Sequence, residues 1–186
     1  LSSLVGSEMC IRDRYMKNLL TFFLIFVSTS LLAELKIKLD QQIEELMPKV
    51  IEWRHDIHEH PELGNREFRT SKKIEEHLVS LGIEVETKIA YTGLVGLIKG
   101  GKPGPTIALR ADMDALPVEE KTGLPFASKV RTTYLGNDVG VMHACGHDAH
   151  VAILMGVAEF LAKNKSDIKG NICLLYTSPS PRDSRV

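Results

Sequence analysis

The chain has 186 residues, with 23 basic and 24 acidic side chains and a formal net charge of −1. That balance, with no basic tract, argues against nucleic acid as a partner. There are no internal repeats or low-complexity stretches, and the chain is long enough for a core of ordinary size.

The two ends are set apart first. Residues 4–13 read LVGSEMCIRD and residues 174–182 read LLYTSPSPR. One DNA coding of the first peptide, reverse-complemented and read from its third base, encodes the second residue for residue. One oligonucleotide read on opposite strands around an insert is the mark of a sequencing adapter, and the two peptides resemble translated adapter read-through. Residues 1–15 and 173–186 are therefore expected to be adapter-encoded and are left out of the fold reading. Cys10 and Cys173 go with them, which leaves Cys145 and no intrachain disulfide. Without Arg12, Arg14, Arg182, Arg185, Glu8, Asp13 and Asp183 the charge balance is still near neutral.

Met16 reads as a start. One Lys, an apolar run from Leu19 to Val27 and small or apolar residues up to Ala33 make a secretory signal layout over 16–33, with cleavage near Ser30 or Ala33. The run is shorter than the roughly 20 apolar residues of a spanning helix, so export is expected, and an uncleaved N-terminal anchor is the alternative. The mature segment is then 34–172. Leu35, Leu39, Ile43, Leu46, Val50 and Ile57 recur at helical spacing, which predicts a long amphipathic helix over 35–59, ended by Pro61. A second helix is predicted over 67–81, with Ile74, Leu78 and Leu81 inward and Gly82 as its stop. Strands are predicted over 83–89, 94–99 and 106–112, with GGKPGP as a turn before the last. A buried helix over 149–162 and the start of a strand at 170–172 follow. This alternation implies an α/β fold whose sheet is covered by helices on both faces.

Asp112 and Asp114 stand at the C-terminal end of the 106–112 strand. A spacing of two puts both carboxylates on one side of an extended chain, and open α/β sheets bind ligands beyond those strand ends. The alternative is an Asp turn before Pro117. The stretch MHACGHDAH carries Cys145 and His147, a thiolate and an imidazole whose spacing turns them to one side and whose chemistry suits zinc. No second Cys or His pair completes a structural zinc site, H-E-x-x-H is absent, and so is the deaminase P-C-x-x-C. His143 and His150 read as core histidines and Asp148 as a helix cap. In HDIHEHPE, 55–62, His55 and His58 share a helix face while His60 points elsewhere, and the cluster reads as structural.

RHDIHEHPELGNREFRTSKKIEEHLVSLG, TGLVGLIKG, LRADMDALPVEEKTGLPFAS and MHACGHDAHVAILMGVAEFLA follow one another in order. Together they resemble the N-terminal part of the hippurate hydrolase, N-acyl-amino-acid amidohydrolase and auxin-conjugate hydrolase group of metallopeptidase family 20. The resemblance covers nearly all of 34–172. It implies a zinc-peptidase-like α/β catalytic domain with an inserted lid domain that often forms homodimers. It implies two divalent metal ions, zinc or manganese, with Cys145 and His147 as ligands and Asp114 as a supporting catalytic residue. Asp112 stands where distant relatives have a ligand His. The implied substrate is a small N-acyl amino acid or peptide-like conjugate, cleaved at its amide bond. The family's general base, the first Glu of a Glu-Glu pair, is expected just beyond Ile172, so the segment alone is expected to be inactive. Its cut sheet edge is expected to limit solubility. Two other readings stand beside this one: a non-catalytic metal-binding or interaction domain, and a hydrolase that uses Cys145 as nucleophile.

Overall fold

The computed structural model describes residues 33–178. The expected adapter segment 1–15, all but the last residue of the expected signal peptide, and residues 179–186 lie outside the described residues. The chain divides into two compact units, 1–45 and 46–186. In the first, residues 33–45 are helical, with Leu35, Ile37 and Ile43 exposed. In the second unit helix α1 covers residues 46–59. Among the described residues no helix is long and apolar enough to cross a membrane.

In the second unit α2 (Phe68–Ser80) buries Thr70, Ile74 and Leu78, one residue per turn on a single face. Its end is set by Gly82 at φ 71°: the Ile83 amide donates to the Leu78 carbonyl and the Gly82 amide to that of Val79. This paired closure needs a left-handed residue, which glycine adopts without a Cβ clash. Helix α3 (His147–Lys163) buries Val151, Ala152, Leu154, Met155 and Ala158 and leaves Ile153 exposed. It starts two residues before the expected position, directly after Gly146 at φ 93°.

Four strands, β1 (Glu84–Ile89), β2 (Gly93–Lys99), β3 (Lys102–Asp112) and β6 (Lys169–Thr177), make a sheet in the order β1-β2-β6-β3. β6 is central, antiparallel to β2 and parallel to β3. Its register sets Leu94 opposite Tyr176, Gly96 opposite Leu174 and Ile98 opposite Ile172. Those rows face Ile74, Leu78, Val151, Met155 and Ala158 in one core cluster. Gly96 admits α2 closely, since a Cβ there would lie 3.0 Å from a Leu78 methyl.

Three expectations are corrected. First, among the described residues α2 and α3 both pack on this one face; on the other, Val95, Leu97, Cys173 and Leu175 are only half-buried. The β1-β2 hairpin turns the chain back without a crossover helix, so nothing in this stretch covers the second face. Second, GGKPGP is not wholly a turn. β3 already begins at Lys102, and the register slips by a bulge between Lys102 and Thr106 where the two prolines cannot donate to the ladder. Third, the strand expected to start at 170–172 does start there, at Lys169, but it runs on to Thr177. Cys173–Thr177, left out of the fold reading, complete the strand, because Leu174 and Tyr176 continue the alternation begun by Ile172. The sequence reading also missed a short hairpin, β4 (Arg131–Tyr134) and β5 (Asn137–Gly140), whose Leu135-Gly136 turn has φ of 50° and 81°.

Tyr176 is fully buried and its hydroxyl has no partner, and burial raises its pKa above the ordinary tyrosine value. An unsatisfied buried hydroxyl costs about 1–3 kcal/mol. Tyr176→Phe is therefore expected to stabilise the fold by about 1 kcal/mol, read as a higher urea midpoint at unchanged slope. His77 meets Trp53 edge-on at 4.6 Å and donates from Nε2 to the Met155 carbonyl at 3.1 Å. Burial lowers its pKa below 6.5, so the unfolded chain binds the proton more readily and stability falls as pH drops below 6.5. His77→Gln, which keeps a donor for Met155 but cannot titrate, is expected to flatten that part of the pH profile of unfolding.

Candidate metal centre

β3 runs straight into the site. After Asp112 the chain enters Met113, Asp114 and Ala115, all buried, with bridges from Ala115 to Leu63 and from Leu116 to Met142. The second bridge draws the strand end against Met142, just before the residues that lead into α3. His147, the first residue of α3, places its Nδ1 2.9 Å from the Asp114 carbonyl oxygen and 3.0 Å from Asp114 Oδ1. Both partners accept, so Nδ1 carries the hydrogen and Nε2 is left as a lone-pair donor. A carboxylate behind an imidazole fixes the tautomer that a metal ligand needs.

The electrostatics favour a cation. Burial raises the pKa of Asp114; the His147 ring counteracts this, while the charge of Glu67 adds to the rise. Glu67 is itself fully buried and accepts hydrogen bonds from the Thr92 hydroxyl at 2.5 Å and from the Ser178 hydroxyl. Asp112 Oδ1 lies 2.5 Å from Arg110 Nη2 as an ion pair, but no donor is aligned on it as a hydrogen bond. Donor atoms of Asp112, His147 and His150 all lie within 4.8 Å of one another, the one such group of three or more His, Cys, Asp or Glu among the described residues. Two imidazoles and a carboxylate oxygen at that spacing suit a divalent ion of the zinc or manganese kind.

Set against the expectations, Asp114 and His147 are brought together, and Asp112 has a donor atom within 4.8 Å of one on His147. His150, read as a core residue, is exposed and belongs to the cluster; its i, i+3 relation to His147 on α3 was the available signal. His143 is buried, but neither ring nitrogen has a partner, and burial pushes its pKa down to about 4. Cys145 is a free, exposed thiol outside the three-residue group. Gly146, not Asp148, holds the cap position of α3; Asp148 lies in the first turn, where its carboxylate meets Arg54 and His58. The sequence reading missed Glu67 and Glu120 altogether.

The sequence model of Peptidase family M20/M25/M40 matches residues 108–178. Thermostable carboxypeptidase 1 of Saccharolobus solfataricus is 51% identical over 147 residues, which is 78% of this chain and 35% of the relative. An N-acyl-L-amino acid amidohydrolase of Geobacillus stearothermophilus is 38% identical, over 76% of this chain and 36% of its own length. Among solved structures, a dinuclear metal binding peptidase of the M20 family from Bacillus subtilis superposes with a TM-score of 0.64 at 42% identity, covering 72% of this chain and 35% of that one. The segment therefore belongs to the M20 metallohydrolases, and its fold is part of their catalytic domain. The chain spans about a third of the length of these relatives.

Asp114→Ala is expected to weaken divalent-metal binding about 10–100-fold, since His147 loses the group that orients it. Titration calorimetry with Zn²⁺ checks this, and unchanged affinity would remove Asp114 from the site.

Proposed function

We propose that this segment is the metal-binding part of an amidohydrolase catalytic domain, and that the protein to which it belongs cleaves the amide bond of N-acyl amino acids or small peptide-like conjugates. The observation that carries this reading is the His147–Asp114 pair, which leaves one imidazole nitrogen aimed away from its buried carboxylate partner. The similarity to an amidohydrolase and a carboxypeptidase supports the reaction class. The similarity to a dinuclear metal peptidase supports two divalent ions.

Cys145 and His147 would hold metal, with Asp114 fixing the His147 ring. Asp112 and His150 stand close enough to His147 to add ligands. The bound metals would polarise the scissile carbonyl and lower the pKa of water. This chain's own part is to present Cys145 as a ligand, to hold the Nδ1 proton of His147 on Asp114, and to surround the centre with the buried carboxylates of Asp114 and Glu67. Export through residues 16–33 and homodimerisation of the longer protein belong to the same proposal.

A polypeptide extended to the length of the relatives is expected to hydrolyse N-acyl amino acids. That activity is expected to vanish with a chelator and return with Zn²⁺ or Mn²⁺, while Cys145→Ser and His147→Ala abolish it. Hydrolysis that survives chelation but dies with a thiol reagent would favour Cys145 as nucleophile and sink the metal reading. Metal binding without hydrolysis of any acyl amino acid would leave a binding domain.

A further inference from the structure

The start of α2 is closed from outside the helix. Glu67 holds its cap position but makes no capping bond, because its carboxylate is turned to the Thr92 and Ser178 hydroxyls. The first turn has no acidic residue of its own. Glu62, in the segment that leads from α1 to α2, supplies the acceptors instead. Its Oε1 takes the Arg69 amide at 3.0 Å and its Oε2 the Thr70 amide at 2.8 Å. The Phe68 amide donates to the Arg66 carbonyl and the Ser71 amide to that of Glu67, each at 2.9 Å. Every amide from Phe68 to Ser71 thus has an acceptor, and two of them depend on Glu62.

The same residue grips the end of β3. Its backbone carbonyl oxygen accepts the Ala115 amide at 2.8 Å, and Leu63 forms a bridge with Ala115. Ala115 directly follows Asp114. A Cβ added at Gly64 would lie 3.8 Å from the Asp114 Cβ, so the 62–64 segment passes against that side chain. Glu62 is therefore held at two points, by its carboxylate on α2 and by its carbonyl beside Asp114. α2 is itself fixed in the core through Ile74 and Leu78, both fully buried. The chain of contacts ends at the Asp114 carboxylate, 3.0 Å from His147 Nδ1. Hydrogen bonds weaken steeply when misaligned, so a carboxylate that orients a ligand ring needs a fixed base.

We propose that Glu62 is a positioning residue: its carboxylate, held on α2, sets the 62–64 segment against Ala115 and so fixes the direction of Asp114 towards His147. The effect on metal binding rests on the centre proposed above; the link from α2 to Ala115 does not.

The test uses the full chain, with Co²⁺ as the metal probe in titration calorimetry. Glu62→Ala keeps the backbone carbonyl and removes only the carboxylate. It is expected to weaken Co²⁺ binding about fivefold, the worth of an ordinary helix cap, and to speed amide exchange at Ala115 as well as at Thr70. In an Asp114→Ala background the same substitution is expected to change Co²⁺ affinity no further, because Glu62 acts through Asp114. Gly82→Ala strains the other end of α2, where φ is 71°, and is expected to lower stability while leaving Co²⁺ affinity as it was. Unchanged Co²⁺ affinity in Glu62→Ala overturns the proposal. So does a loss that persists without Asp114, or an equal loss in Gly82→Ala, which marks helix stability rather than position. If Glu62→Ala does not fold, Glu62→Gln, which retains an acceptor for one of the two amides, decides by the same readings. If the unsubstituted chain binds no Co²⁺, the metal centre fails and Ala115 exchange alone decides the link: faster exchange in the variant upholds it, and unchanged exchange overturns it.

Discussion

Two parallel strands cannot be joined by a tight turn. β3 and β6 are parallel neighbours, so the 56 residues between Asp112 and Lys169 must leave the C-terminal end of one and return to the N-terminal end of the other. α3 makes that return journey, which obliges it to begin beside the end of β3. His147 is the first residue of α3 and Asp114 stands just past β3, so the crossover brings them within hydrogen-bonding distance. The remaining length of the connection, including the β4-β5 hairpin and the Glu120 segment, is packed around the same end of the sheet. The site is thus a consequence of how the sheet is wound.

Two groups of buried charge lie at this end of the molecule, and they differ in kind. Arg54, Asp148, His58 and Glu120 are joined by hydrogen bonds and satisfy one another. Asp114, Glu67 and Asp112 are less evenly matched: the three carboxylates meet the His147 and His150 rings and Arg110, and Asp112 Oδ1, though close to Arg110, has no aligned donor. Buried carboxylates without enough protein cations are costly, and a divalent ion supplies the missing charge without a new side chain. The closed group stiffens the wall while the open one is the part suited to binding.

Some of the architecture was legible in local pattern alone. The 3.6-residue spacing of Ile74 and Leu78, the glycine after α2 and the apolar runs of β1, β2 and β3 each report on a few consecutive residues, and each element lies within a few residues of its predicted place. β6 extends to Thr177 because Ile172, Leu174 and Tyr176 alternate onto its buried face. The Tyr176 ring fills a core slot, and its hydroxyl finds no acceptor there.

By itself the sequence determined the helices and strands, the placing of two aspartates at a strand end, and the pairing of a thiol with an imidazole two residues on. Those are properties of short range, where backbone geometry dictates which side chains share a face. Only the tertiary structure decided that Asp114 orients His147, that His150 and Asp112 stand with it, and that His58 bridges two carboxylates 62 and 90 residues away. Chain spacing carries no record of such contacts, because they exist only once the crossover has carried α3 back across the sheet.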